Sequence, residues 1–134
     1  CKDCLVNWRK DNRKKIQAGN KNYEKNRKLT DPEFKLVKTL RSRLGSALKR
    51  KNVKKGSSTL ELTGCELPFL KKYLEDQFTE GMTWENHGLW HVDHIKPCCS
   101  FDLQNLEEQQ TCFHYTNLQP LWAKDNLSKG GGDF

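Results

Sequence analysis

The sequence has no long apolar run. Nothing in its 134 residues approaches the roughly 18 consecutive apolar residues that a membrane-spanning helix needs, so no membrane association of that kind is expected. It has a single methionine, Met82, and none at position 1, so the chain reads as a fragment, a processed product or a trimmed piece. Cys1-Lys2-Asp3-Cys4 is followed by no apolar stretch, so this segment is not expected to be a signal peptide. Hydrophobic residues make up only 34% of the chain and charged ones 31%, which suits a small core with a solvated extension better than one large core. Repeats are lacking, and the only low-complexity tract is Gly130-Gly131-Gly132. Six cysteines are present. Without a sign of secretion they are expected as thiols or metal ligands in a reducing, intracellular setting, cytoplasm or nucleus.

Acidic residues are scarce in one part of the chain. Residues 1–56 hold 19 Lys/Arg against 5 Asp/Glu, and residues 57–134 hold 5 against 12, so a net +14 is joined to a net −7. Lysines and arginines on a polyanion gain free energy by counterion release, and such a split is expected of a nucleic-acid-gripping segment attached to a second unit. Three regions follow: a basic arm over 1–33, a basic amphipathic helix over 34–56, and a further domain over 57–134.

The arm is rich in good helix formers but has few apolar anchors (Leu5, Val6, Trp8, Ile16, Tyr23), so an extended helix or arm is expected. Thr30-Asp31-Pro32-Glu33 reads as a helix start, with Thr30 as cap and Glu33 completing a capping box. Phe34, Val37, Leu40, Leu44, Ala47 and Leu48 then recur at helical spacing. Arg41, Arg43, Lys49, Arg50, Lys51, Lys54 and Lys55 lie off that stripe or just past it and are candidates for contact with DNA phosphates. Gly56-Ser57-Ser58 ends the helix. A short element at Thr59–Thr63 precedes a helix from Leu67 to about Phe78, and a loop rich in turn formers covers 81–88. Leu89–Ile95 reads as a strand, 106–114 as a short helix, Thr116–Leu121 as a second strand and Trp122–Lys129 as a helix stopped by Gly130. Strand, loop, strand and helix make a ββα unit over about 89–129. Trp84, Trp90, Leu118, Leu121, Trp122 and Leu127 are its core candidates.

Asp93-His94 closes the first strand. Adjacent strand residues point to opposite faces, but at the strand's end, where the chain turns, both are expected to reach one site. A carboxylate there suits a hard divalent cation, and an imidazole suits proton abstraction from water. Asn126, on the closing helix, offers a neutral amide oxygen suited to Mg²⁺ or Mn²⁺.

Three stretches carry a resemblance: Trp90-His91-Val92-Asp93-His94-Ile95-Lys96-Pro97, Tyr115-Thr116-Asn117-Leu118-Gln119-Pro120-Leu121 and Asp125-Asn126-Leu127-Ser128-Lys129-Gly130. In that order they resemble the HNH, or ββα-metal (His-Me finger), endonucleases, above all those of phages and large viruses. The likeness is strong over 81–130, looser over 34–80 and only compositional over 1–33. It implies an α+β fold: a small ββα-metal core with added helices and a basic helical N-terminal arm. It assigns His94 as general base, Asp93 and Asn126 as ligands of Mg²⁺ or Mn²⁺, and Asn117 as the residue that braces the loop and so orients the histidine. The implied reaction is hydrolysis of a DNA phosphodiester to 5′-phosphate and 3′-hydroxyl ends, a monomer nicking duplex DNA and a homodimer cutting both strands. A phage- or virus-encoded source is implied as well. The alternative is a non-catalytic nucleic-acid-binding module on the same fold.

His91, His114 and Lys129 are additional site candidates, with Lys96 and Lys124 as further phosphate contacts. His91 shares Asp93's strand face, while His114 is expected to pack or hydrogen-bond at the end of its helix. Cys1-x2-Cys4 is half of a zinc site, and the resemblance implies that an earlier cysteine pair would complete it. Cys98-Cys99 and Cys112-x-His114 bracket the inter-strand loop, where packed free thiols are expected in preference to structural Zn²⁺.

Overall fold

Low-cost helix formers dominate the first fifty residues, and nearly all of them are helical. The computed structural model describes residues 1–129, which form a mixed α/β arrangement of seven α-helices and one two-stranded antiparallel sheet. Helix α1 runs Lys2–Asp11, α2 Arg13–Thr30 and α3 Pro32–Arg50; α4 is Thr59–Thr63, α5 Leu67–Glu75, α6 Leu106–Phe113 and α7 Ala123–Ser128. Strand β1 is Trp90–His94 and β2 Leu118–Trp122; single 3₁₀ turns lie at Cys98–Ser100 and Tyr115–Asn117. No helix among the described residues is long and apolar enough to cross a membrane.

The expected arm is two helices that bury no residue, with Leu5, Val6, Trp8, Tyr23 and Leu29 left exposed. α2 meets α3 through a Lys38–Glu24 pair at 2.6 Å and the Arg27 guanidinium 4.3 Å over the Phe34 ring.

The cap of α3 differs from the expectation. Thr30 still belongs to α2, and Asp31 caps α3 by accepting from the Phe34 N–H at 3.0 Å. A carboxylate is the stronger acceptor at a helix N-terminus, where the dipole adds to the bond. The capping box sits instead on α4, between Ser58 and Glu61. α3 also stops at Arg50 rather than at Gly56, and Asn52 takes a left-handed φ of 53° just beyond it.

α3 is the spine of the core. Leu36 and Leu40 pack with Leu70, Leu74, Met82, Trp90, Val92 and Leu118, whereas Leu44, Ala47 and Leu48 pack with Leu62, Cys98, Phe101, Leu103, Cys112 and Phe113. Leu36, not Val37, is the fully buried residue of its first turns. Each buried leucine, valine, phenylalanine or methionine among them contributes about 1.5–3 kcal/mol of burial. Gln109, wholly buried, accepts from the Gly56 N–H and donates to the Leu103 and Lys54 carbonyls, tying the irregular 51–58 segment to α6.

β1 and β2 pair with Trp90 opposite Trp122, Val92 opposite Pro120, Asp93 opposite Gln119 and His94 opposite Leu118. The strands are shorter than expected. Asn117 precedes β2 in a 3₁₀ turn instead of lying within it, and Trp122 belongs to β2 instead of opening α7. Leu127 is 79% exposed and not in the core: Asn126 and Lys129 make the contacts with β1, and Leu127 lies on another side of α7. α5 ends at Glu75, before Phe78, which packs on Trp84 and Trp90 from the following turn. Gly130, the expected helix stop, lies outside the described residues.

Candidate functional site

Strand alternation divides the motif residues between two faces. Trp90, Val92 and His94 face the core, whereas His91 and Asp93 face α7. The expectation that Asp93 and His94 converge at the strand's end is therefore not met in this conformation. The ladder persists too far for that: His94 is still in register with Leu118, and the Ile95 N–H bonds to the Asn117 carbonyl at 2.8 Å.

The Asp93 carboxylate is fully buried. Its Oδ2 accepts from Lys129 Nζ at 2.8 Å and from Gln119 Nε2 at 3.0 Å, and Oδ1 has no hydrogen-bond partner among the described residues. Lys129 also donates to the His94 carbonyl at 2.8 Å, so one ammonium fastens α7's end to the end of β1. Asn126 Nδ2 lies 3.2 Å from His91 Nδ1 on the same side of the sheet. Burial lowers the His91 pKa, and the Arg43 charge adds to that. One face thus brings together His91, Asp93, Gln119, Asn126 and Lys129. Gln119 was not anticipated, although pairing Asp93 across an antiparallel register would have found it.

A buried carboxylate with one oxygen unengaged, beside an amide and an imidazole, is a donor set that a divalent cation fits.

Asn117 makes three bonds. Its Oδ1 accepts from the Lys96 N–H at 2.9 Å, and its Nδ2 donates to the Lys96 carbonyl at 3.1 Å and the Cys112 carbonyl at 2.9 Å. The side chain pins the chain leaving β1 to the end of α6.

His94 is 4% exposed, with its ring edge-on to Phe113 at 5.4 Å between centroids. It lies against the Cys98 thiol, whose Sγ is 3.4 Å from Cys112 Sγ. The Cys112 contact and burial together push the Cys98 thiol well above its usual range. Packed free thiols were expected around the inter-strand loop; there Cys98 and Cys112 converge with His94, whereas Cys99 is exposed and His114 Nδ1 turns to Thr116 Oγ1 at 2.8 Å. All six cysteines are free thiols.

The basic residues also divide. Arg43 Nη1 donates to the Val92 carbonyl at 2.6 Å, closing β1's outer edge, so this guanidinium is part of the fold rather than of an outer basic face. Lys51 reaches the Phe101 carbonyl at 3.2 Å and Lys55 the Thr59 hydroxyl at 2.9 Å. Arg41, Lys49, Lys54 and Lys55 line an open groove along the C-terminal half of α3 with Asn52, and Arg50 is exposed on the same helix.

Over 119 residues, 88% of its length, the chain is 44% identical to uncharacterized protein L246 of Acanthamoeba polyphaga mimivirus, covering 51% of that protein. Over 104 residues, 77% of its length, it is 41% identical to uncharacterized protein L426 of the same virus, covering 45% of it. The chain spans about half the length of the curated relatives it matches. No family model and no solved structure matches it.

Proposed function

We propose that this chain is a metal-dependent endonuclease domain of the HNH, or ββα-metal, type that hydrolyses phosphodiester bonds of duplex DNA. The observation that carries the reading is the buried Asp93 carboxylate, whose Oδ1 is unengaged on the face shared with Asn126 and His91. Asp93 and Asn126 would hold Mg²⁺ or Mn²⁺, which when bound supplies positive charge to the phosphate oxygens. Gln119 and Lys129 fix the carboxylate through its other oxygen. Asn117 anchors the backbone just after His94. His94 takes the proton of the attacking water. The water oxygen bonds to phosphorus, the P–O3′ bond breaks and the 3′ oxygen leaves. For this the His94 ring has to leave its contacts with Phe113 and Cys98. The groove along α3, with Arg41, Lys49 and Lys54, is the surface proposed to follow the phosphate backbone.

The inward placement of His94 favours one second reading, a nucleic-acid-binding module that does not cut. Nicking of supercoiled plasmid separates the two. Mg²⁺-dependent nicking by the wild type, none in EDTA, and a loss of about 10²–10⁴-fold in a His94→Ala variant that still binds DNA are expected. A loss that follows His91→Ala and spares His94→Ala moves the base to the Asn126 side. Binding without cutting by every protein, in Mg²⁺ or Mn²⁺, leaves the second reading.

A further inference from the structure

We propose that His94, Cys98 and Cys112 form a second metal site, selective for a soft or borderline ion such as Zn²⁺, that withdraws His94 from catalysis when filled. The three residues come from three elements: the end of β1, the 3₁₀ turn after Pro97 and the last turn of α6. All are buried, at 4%, 4% and 0% exposure, and their ligand atoms lie within 4.8 Å of one another. With Zn–S near 2.3 Å and Zn–N near 2.0 Å, a tetrahedral site needs separations of about 3.8 Å between the sulfurs and about 3.5 Å from sulfur to nitrogen. The thiol pair at 3.4 Å has to open by about 0.4 Å, and the ring has about an ångström to move.

The chemistry of the set selects the ion. Two thiolates and an imidazole suit Zn²⁺ and disfavour Mg²⁺, which prefers oxygen ligands. Two thiolates also cancel the charge of Zn²⁺, so the filled site is neutral. Neutrality offsets the cost of placing an ion among Phe101, Leu103 and Phe113. Binding releases the two thiol protons to solvent. The fourth position falls to a water. Asp93 faces the other side of β1, so the two metal sites are separate in place and in ligand type.

The metal site stands on these residues alone; its effect on catalysis rests on the nuclease reading. The test uses the chain with Cys1→Ser and Cys4→Ser, which removes the exposed pair at 3.3 Å. Titration with Co²⁺ should give one ion per chain with thiolate-to-cobalt charge transfer, displaced by Zn²⁺ and abolished by adding Cys98→Ser. Because a Cys112 variant could fail to fold, thiol alkylation of the wild type is the companion measurement. Zn²⁺ at ten times its Kd should slow modification of Cys98 and Cys112 roughly tenfold and leave Cys99 unchanged. Absent charge transfer, or alkylation indifferent to Zn²⁺, would overturn the site. In Mg²⁺, added Zn²⁺ should stop nicking and a chelator of the soft ion should restore it. Uptake of Co²⁺ by a protein that never nicks keeps the site and removes the nuclease reading. Nicking that Zn²⁺ leaves untouched, by a protein that takes up no Co²⁺, does the reverse.

Discussion

At the scale of single residues, polar atoms inside the core decide most outcomes. His87 is 5% exposed, stacked on Trp90 at 4.3 Å between centroids, and its Nδ1 has no partner among the described residues. Burial, with the charges of Lys35 and Arg43 and nearby His91, lowers its pKa to about 4. A histidine held neutral in this way contributes stability that is fully present above the unfolded value near 6.5. That contribution falls as pH drops from 6.5 to about 4 and is gone below it. The span corresponds to about 3 kcal/mol at most. His87→Phe keeps the stacking and should flatten that part of the pH dependence in urea unfolding; an unchanged slope would show that other groups set it. Asn117→Ala leaves two carbonyls and one N–H without their partner and should cost about 1–3 kcal/mol. Asn117→Asp keeps only the acceptor and should recover part of the loss. Lys129→Met removes the ammonium from a buried carboxylate, so its thermal midpoint should fall below wild type in EDTA, and added Mg²⁺ should raise it more than it raises wild type. Equal Mg²⁺ responses would argue against Asp93 as a ligand.

Among the elements, α3 carries the most. Leu36→Ala empties a fully buried position between α5 and the sheet and should cost about 2–5 kcal/mol by denaturant titration. Much of this level was legible in the sequence, because α3's apolar stripe and the strand, loop, strand, helix order are local patterns of period 3.6 and 2. The boundaries were less so. Leu36 and Val37 lie on neighbouring parts of the helix surface, and only the arrival of α5 and β1 decides which is covered. A bracing role for Asn117 was implied only by the family resemblance; its amide, donor and acceptor together, bonds to Lys96 and Cys112. The division of Asp93 from His94 was hidden, since it depends on how far the ladder runs past β1. The meeting of His94 with Cys98 and Cys112 was hidden too. Position 112 reaches the end of β1 only because α6 folds back over the inter-strand loop, a tertiary fact without a local signal.

For the whole molecule, the buried core and the excess of positive charge reside in different parts. Helices α1 and α2 bury no residue, yet residues 1–30 carry 10 Lys/Arg against 3 Asp/Glu. Hydrophobic stabilisation scales with apolar area removed from water, so these helices add little to it. Affinity for a polyanion scales with the phosphates neutralised, and each phosphate no longer neutralised lowers the log–log salt slope by roughly 0.9 on duplex DNA. Removing residues 1–30 should therefore leave the urea midpoint of the remainder almost unchanged while weakening duplex binding and flattening its salt dependence. Charge reversal at Arg41, Lys49 and Lys54 should flatten the salt dependence as well, through the α3 groove. The two changes touch separate surfaces, so their effects on log K should add. If the truncation lowers the urea midpoint instead, α2's contacts with Phe34 and Lys38 stabilise α3, and the arm is then part of the fold rather than a grip attached to it.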